Sequence, residues 1–325
     1  MPAVFGKLTG PRYLEEHAAN KIRPSTTERY RQAAVDFTAW ALPRSYFPSS
    51  AGEWDDLLVE YLHEQGADYT RAKFETLVSA VEFFFPTYKK KLAWSHQVIS
   101  GWTATASIRH TVPLGKQAAK LIAMYFSSYG HARLGLGVII QASVGLRPSE
   151  LLGLVTGDVL LPEHQGRTLS EIPASLALGA RTGTKVKRAQ FVLLGKQHGK
   201  LVAFLRALVR RTPDGARLFP ASQSLYRTLL AQAQRDLGVE LGWTPHSPRA
   251  GFATDARSEG LPFTEIQEIG RWSSASSLRT YLDVVGSANI GTTLRAAGLA
   301  DALRFASTNW PTYFPPSVLE YPKSG

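Results

Sequence analysis

The sequence predicts a mainly α-helical protein with one small antiparallel β-sheet, divided between two domains. Three observations carry that expectation. The chain has 325 residues, more than the roughly 100–200 that one domain usually takes. Apolar residues recur at helical spacing along nearly its whole length. One stretch departs from that spacing, Leu160–Leu194, where short apolar runs flank the turn-like segment Arg181-Thr182-Gly183-Thr184-Lys185.

The elements follow in order. Ser25 and Glu28 fit a capping box, and Tyr30, Ala34, Phe37 and Ala41 then repeat on one helical face until Pro43, which cannot continue a helix. Trp54, Leu57, Leu58, Tyr61 and Leu62 form a second stripe, with Gly66 as its C-terminal cap. Tyr69–Phe85 and Lys91–Thr103 give two more helices, so residues 21–104 read as a helical domain behind an extension of residues 1–20. The polar segment Thr105–Pro113 reads as a linker. Helices are expected again at Gly115–Ser128, Ala132–Ser143 and Ser149–Leu154. Thr168–Leu178 and Ala189–Leu194 read as a hairpin. Helices return at Lys196–Arg211, Ser222–Leu237, Pro248–Ser258, Pro262–Ile269, Ser274–Leu282 and Ala288–Phe305. The second domain thus spans residues 114–306. The proline-rich tail, residues 307–325, is either disordered or docked on something.

Composition narrows the function. Lys and Arg number 37 against 26 Asp and Glu, a net charge of +11. An excess of this size favours an anionic partner, nucleic acid above all. With no cysteine, a disulfide scaffold, a zinc finger, an Fe–S site and a thiol nucleophile are all excluded. The first ten residues lack the apolar core of a signal peptide, and the apolar stretch around Leu134–Leu146 is too short to span a membrane. A soluble intracellular protein is expected, cytoplasmic in a bacterium and nuclear if encoded by a eukaryotic element. Phosphate-loop, dinucleotide and H-E-x-x-H motifs do not occur, nor does metal-ligand spacing among the histidines. Phosphate chemistry here would rest on the chain's own cations, with no cofactor.

Four short segments can carry such chemistry. Arg147 opens a helix after the Gly145 turn, an anion site in the making or a solvated cap. His246 and Arg249, three apart at a helix start, can face one phosphate. Gly270-Arg271-Trp272 puts an indole between two helices, where it packs in a core or donates to a phosphate oxygen. Tyr281 is an amphipathic-helix residue or, with its proton removed and cations nearby, a nucleophile for phosphorus.

Together, in this order, these residues resemble the tyrosine recombinase family of phage integrases, Xer recombinases and Cre. His246–Asp283 is similar to that family throughout: H-x-x-R, then Gly251-Phe252-Ala253-Thr254, Ile266–Gly270, Trp272-Ser273-Ser274 and Tyr281. Gly145–Leu154 resembles its first arginine box. The similarity covers Pro113–Phe305. The helical N-terminal segment resembles the core-binding domain in kind only. The resemblance implies a two-domain DNA clamp with a catalytic domain at residues 114–306. It implies that Tyr281 attacks the scissile phosphate and forms a 3′-phosphotyrosyl bond. Arg147 and Arg249 would clamp the non-bridging oxygens, His246 would assist proton transfer, and Glu150 would support the first box. Trp272 stands where most members have His and some have Trp, and Ala250 stands where many have a second His.

One position is ambiguous. The family's hairpin lysine protonates the leaving 5′-oxygen, and direct alignment puts Arg181 there. A guanidinium hardly gives up a proton near neutral pH, so Lys185 is preferred and Arg181 is the alternative. The long interval after Arg147 predicts an insertion around Pro162–Pro173. Lys187 and Arg188 are candidate DNA contacts; Lys89, Lys90 and Lys91 either touch DNA or form a solvated face. The resemblance further implies double-stranded DNA as partner, a tetramer on two DNA sites and a C-terminal helix docked on a neighbour. Ala288–Phe305, with Leu294, Leu299 and Leu303 as its apolar face, is the candidate; packing within the chain is the other reading. The function expected is site-specific recombination or integration for a mobile element or phage. The alternatives are a catalytically impaired DNA-binding relative, a type IB topoisomerase-like enzyme or a hairpin-resolving strand transferase.

Overall fold

A computed structural model describes residue 22 and residues 24–66, 69–105, 111–162, 174–179, 190–282 and 284–322. The extension 1–20, most of the insertion, and the turn with Arg181, Lys185, Lys187 and Arg188 lie outside the described residues. The chain forms two compact units, Met1–Ile108 and Arg109–Gly325. Among the described residues no helix is long and apolar enough to cross a membrane.

The N-terminal unit contains α1 (Pro24–Ala41), α2 (Ala51–Gln65), α3 (Arg71–Phe84) and α4 (Ala93–Thr105). The expected cap at Ser25 is corrected: the helix already includes Pro24, whose locked φ suits a first helical turn. Ser50 caps α2 by accepting the Glu53 N–H at 3.2 Å. The core is aromatic. Phe37, fully buried, stacks on Trp54 at 5.6 Å and meets Tyr61 edge-on at 5.3 Å. The buried carboxylate of Asp55 accepts the N–H groups of Trp94 and Ser95 at 2.7 and 2.8 Å. Those are first-turn donors of α4 with no partner inside the helix, so each side satisfies the other.

The C-terminal unit is built around α5 (Lys116–Ser128) and α6 (Ala132–Val144). Nearly every residue of α6 is buried. The two helices pack so closely that a Cβ at Gly135 would lie 2.6 Å from the Ala123 carbonyl oxygen. After α7 (Pro148–Gly153) comes a three-stranded antiparallel sheet in the order β1-β2-β3. Its strands are β1 (Val159–Leu160), β2 (Ala174–Leu178) and β3 (Gln190–Leu194), with Val159 opposite Leu176 and Ala174 opposite Leu194. The hairpin matches the predicted one, with β2 starting at Ala174. The two-residue β1 was not expected, because so short a strand shows no alternation. Strand β3 buries Val192 and Leu194 and exposes Phe191 and Leu193.

The remaining helices are α8 (Gly199–Arg210), α9 (Gln223–Asp236), α10 (Ser247–Ser258), α11 (Phe263–Gly270), α12 (Ala275–Arg279), α13 (Val284–Ala296) and α14 (Ala300–Asn309). The single helix expected at Ala288–Phe305 is therefore two. Gly298, at φ +74°, takes the left-handed conformation after α13. Leu299 N–H then bonds Leu294 O, and Gly298 N–H bonds Arg295 O, both at 3.0 Å. That pair of reversed bonds terminates a helix. Leu294 is buried in the core of its own unit, and Leu299 and Leu303 pack against it.

Of the two readings of the tail, docking holds through residue 322, and the surface is the chain's own. Trp310, Phe314 and Leu319 are buried in the main core. Arg133, at 6% exposure, grips the backbone around Leu319. It donates to Leu319 O (2.7 Å), Glu320 O (3.2 Å), Leu218 O (3.1 Å), Arg211 O (3.1 Å) and Thr212 Oγ1 (2.7 Å), which occupies all five guanidinium donors. Its Cζ lies 5.0 Å from the centre of the Tyr321 ring.

Candidate active site

Four segments of the C-terminal unit converge. The first begins where α6 ends. Gly145 takes φ +65°, and a Cβ there would fall 2.6 Å from the Phe252 ring. The turn delivers Arg147 to the start of α7, where Glu150 fixes it twice. Glu150 Oε2 accepts the Arg147 N–H at 2.7 Å, and Oε1 accepts Nη1 at 2.5 Å. Arg147 keeps 24% of its side chain exposed.

The second segment is the start of α10. Arg249 is 1% exposed. Its guanidinium donates to the carbonyl oxygens of Gly145 and Gly270, with Cζ 4.0 Å above the Trp272 ring. His246, the residue before α10, is half-buried, and its Nδ1 is buried with no partner among the described residues. Burial, and then the charges of Arg249, Arg147 and Arg227, hold its pKa below the ordinary imidazole value.

The third segment ends α11. Gly270 must be glycine, since a Cβ would lie 1.7 Å from the Trp272 ring. Arg271 occupies the left-handed position after it, at φ +59°, a conformation that costs a non-glycine residue about 1–2 kcal/mol. Its N–H bonds Glu268 O and the Trp272 N–H bonds Gln267 O, both at 3.0 Å. Its side chain, 6% exposed, donates to Glu150 Oε2 at 2.8 Å and to Gly145 O at 3.2 Å, while its own carbonyl accepts Arg147 Nη2 at 3.0 Å. The fourth segment brings Tyr281, whose ring centre is 5.6 Å from that of Trp272. Thr254 Oγ1 donates to the Tyr281 carbonyl at 3.3 Å. Phe252, Ile266, Trp272 and Leu278 form the apolar floor beneath them.

The electrostatics ask for an anion. Two guanidiniums, Arg147 and Arg271, pair with the Glu150 carboxylate, and a third, Arg249, adds its charge to the cluster. Burial, and then the charges of Arg147 and Arg271, pull the Arg249 pKa down to about 9. Glu150 resolves the other way: burial would raise its pKa, but the Arg271 charge, the Arg147 N–H and the Arg147 charge outweigh it and hold it below the usual value. A cation-rich, partly dry cluster is the setting in which a phosphate oxygen binds strongly. Residues 114–286 match the family model for the phage integrase family. The chain belongs to that family.

Its activity is accordingly site-specific DNA strand transfer by a tyrosine-type recombinase. Among curated proteins, this integrase is 25% identical over 276 residues to a tyrosine recombinase XerC of Herpetosiphon aurantiacus, covering 80% of this chain and 85% of that one. Among solved structures, it is similar to the XerH site-specific recombinase bound to palindromic difH substrate in a post-cleavage complex (TM-score 0.55, 15% identity, 87% of this chain and 79% of that one). It is also similar to the Tn1549 transposon integrase in complex with transposon right end DNA (TM-score 0.55, 13% identity, 87% and 98%). At those identities the structural likenesses speak for the fold.

Of the residues the sequence singled out, Arg147, Glu150, His246, Arg249, Trp272 and Tyr281 are brought together. Lys185, its alternative Arg181, Lys187 and Arg188 lie outside the described residues. Lys89, Lys90 and Lys91 are exposed in the N-terminal unit, where Lys90 takes φ +63° and its N–H bonds Glu82 Oε1 at 2.8 Å. One residue in the cluster had no role assigned from sequence: Arg271. The signal was present, a basic residue between Gly270 and Trp272 at a helix end, but only the fold aims it at Glu150.

Proposed function

We propose that the cluster cuts and rejoins duplex DNA through a covalent bond to Tyr281. The observation that carries this reading is the convergence of Arg147, His246 and Tyr281 around the buried guanidinium of Arg249, held between two carbonyls over Trp272. Arg147 and Arg249 bind the non-bridging oxygens and oppose the charge that develops at phosphorus. His246 is biased towards its neutral form, which suits it to take the proton of the Tyr281 hydroxyl as that oxygen attacks. A bond forms between Tyr281 Oη and phosphorus, and the bond from phosphorus to the 5′-oxygen breaks. The departing oxygen takes a proton from Lys185, or from Arg181 if that residue fills the hairpin position. Attack by a 5′-hydroxyl runs the same steps backwards and reseals the strand. The phosphodiester energy is kept in the phosphotyrosine, so no nucleotide is consumed.

Trp272 packs under Arg249 and beside Tyr281, and its indole N–H is a further donor for a phosphate oxygen. Double-stranded DNA is the substrate, held chiefly through phosphates, with Lys89, Lys90, Lys91, Lys187 and Arg188 as contacts beyond the cluster. A tetramer on two sites and a mobile-element origin complete the reading. The test is covalent trapping. The protein is mixed, in EDTA, with nicked duplexes of random sequence and of DNA flanking its own gene. An SDS-stable adduct should form with wild type and vanish with Tyr281→Phe, and sequencing the trapped DNA gives the site. Lys185→Ala should bind DNA but lose cleavage. Duplex binding with no adduct would favour a catalytically impaired relative instead.

A further inference from the structure

Arg271 is a charged group in the cluster to which the mechanism gives no step. Its guanidinium is already engaged within the chain, by Glu150 Oε2, Gly145 O and Ile269 O. Everything it does is done to other residues. Its guanidinium takes one oxygen of Glu150, at 2.8 Å, while Arg147 takes the other. The oxygen that Arg271 binds is also the one that anchors the Arg147 main-chain N–H. The same guanidinium reaches Gly145 O, a carbonyl it shares with Arg249. From the backbone side, the Arg271 carbonyl accepts Arg147 Nη2 at 3.0 Å. Arg147 is thus held at three donors, and each acceptor is either Arg271 itself or the carboxylate Arg271 pairs with.

The backbone gives an independent argument. The left-handed position that ends a helix in this way is normally glycine's. Here it is Arg271 at φ +59°. That conformation turns the chain so that one residue presents both its carbonyl and its side chain to the Gly145–Glu150 turn. A conformation with a cost persists where the surroundings over-determine it, most often at a functional site.

We propose that Arg271 is a positioning residue for strand transfer: it holds Arg147 and Glu150 in the arrangement from which Arg147 grips the scissile phosphate. The charges fit this role. Glu150 faces two guanidiniums, so Arg271 balances it and leaves the charge of Arg147 free for the DNA. Without Arg271, Glu150 would draw on Arg147 alone, and a phosphate would compete with a carboxylate for the same cation. The proposal rests on the reading that Arg147 binds the scissile phosphate, and its test separates the two.

The experiment measures single-turnover adduct formation on nicked duplexes carrying the trapped sequence. Duplex affinity is measured by gel shift and folding by thermal melting. Arg271→Gln should slow adduct formation at saturating DNA tenfold or more while changing the duplex Kd less than threefold. Arg271→Lys keeps the charge but cannot span Glu150 and Gly145, so it should be slow as well, and it serves if Arg271→Gln fails to fold. The decisive arm is the pair with Glu150→Gln. If Arg271 works through Glu150, the double variant should be no slower than the slower single variant. Rates within twofold of wild type for Arg271→Gln, or losses that multiply in the double variant, would overturn the proposal. Unimpaired adduct formation by Arg147→Ala would instead sink the site assignment on which it rests.

Discussion

At Arg249 the protein buries a cation almost completely and gives it two carbonyls and an indole face in place of most of its hydration. Its pKa of about 9 still leaves it charged near neutral pH, so the cluster stays short of an anion until DNA arrives. His246 registers the same field. Its folded pKa lies below its unfolded value, so below about pH 6.5 the unfolded chain takes up a proton that the folded one resists. Stability should therefore fall as pH drops through that value. His246→Gln removes this contribution: urea unfolding at pH 7.5 and 5.5 should show a smaller loss on acidification than in wild type. An equal loss would mean that His246 is already free to protonate in the fold.

Helix ends do the aiming. The Gly145 turn, the start of α10 and the left-handed end of α11 each present a side chain at a point the preceding helix fixes. Close packing sets those helices. At Gly251, two residues past Arg249, a Cβ would lie 2.0 Å from the Leu114 carbonyl oxygen. Backbone cannot step aside as a flexible side chain can, so Gly251→Ala must shift α10 as a whole. It should destabilise the protein by about 1–3 kcal/mol, read as a lower urea midpoint with an unchanged slope. Adduct formation should fall further than the stability loss alone explains. A neutral substitution would show that α10 tolerates movement without losing the site.

Across the C-terminal unit as a body, the tail closes the core. Trp310 packs against Phe204 at 5.3 Å, and Phe314 and Leu319 are each 1% exposed. Arg133 ties the last described turns to α6 through hydrogen bonds to the Leu319 and Glu320 carbonyls. Trp310→Ala should cost about 3–5 kcal/mol, as large-to-small changes of buried aromatics do. Calorimetry should show a lower Tm for the transition of this unit. An unshifted Tm would mean the tail is an ornament rather than a wall of the core.

The mainly helical fold, the two hairpin strands and the segments that converge at the site are legible in the sequence. Helical stripes such as Trp54–Leu62 are local and periodic, and the boxes around Arg147, His246–Arg249 and Tyr281 are short and contiguous. A linear pattern could not show which way a lone charged residue at a helix end points. Arg271 reads as one more surface arginine until α11 packs and its left-handed turn aims it at Glu150, 121 residues away in the chain. The same holds for the split of the last predicted helix at Gly298 and for the docking of Trp310 and Phe314. Each depends on contacts between residues far apart in sequence, and a local pattern carries no record of those. Periodicity reports what a segment can bury; packing in three dimensions settles what it is buried against.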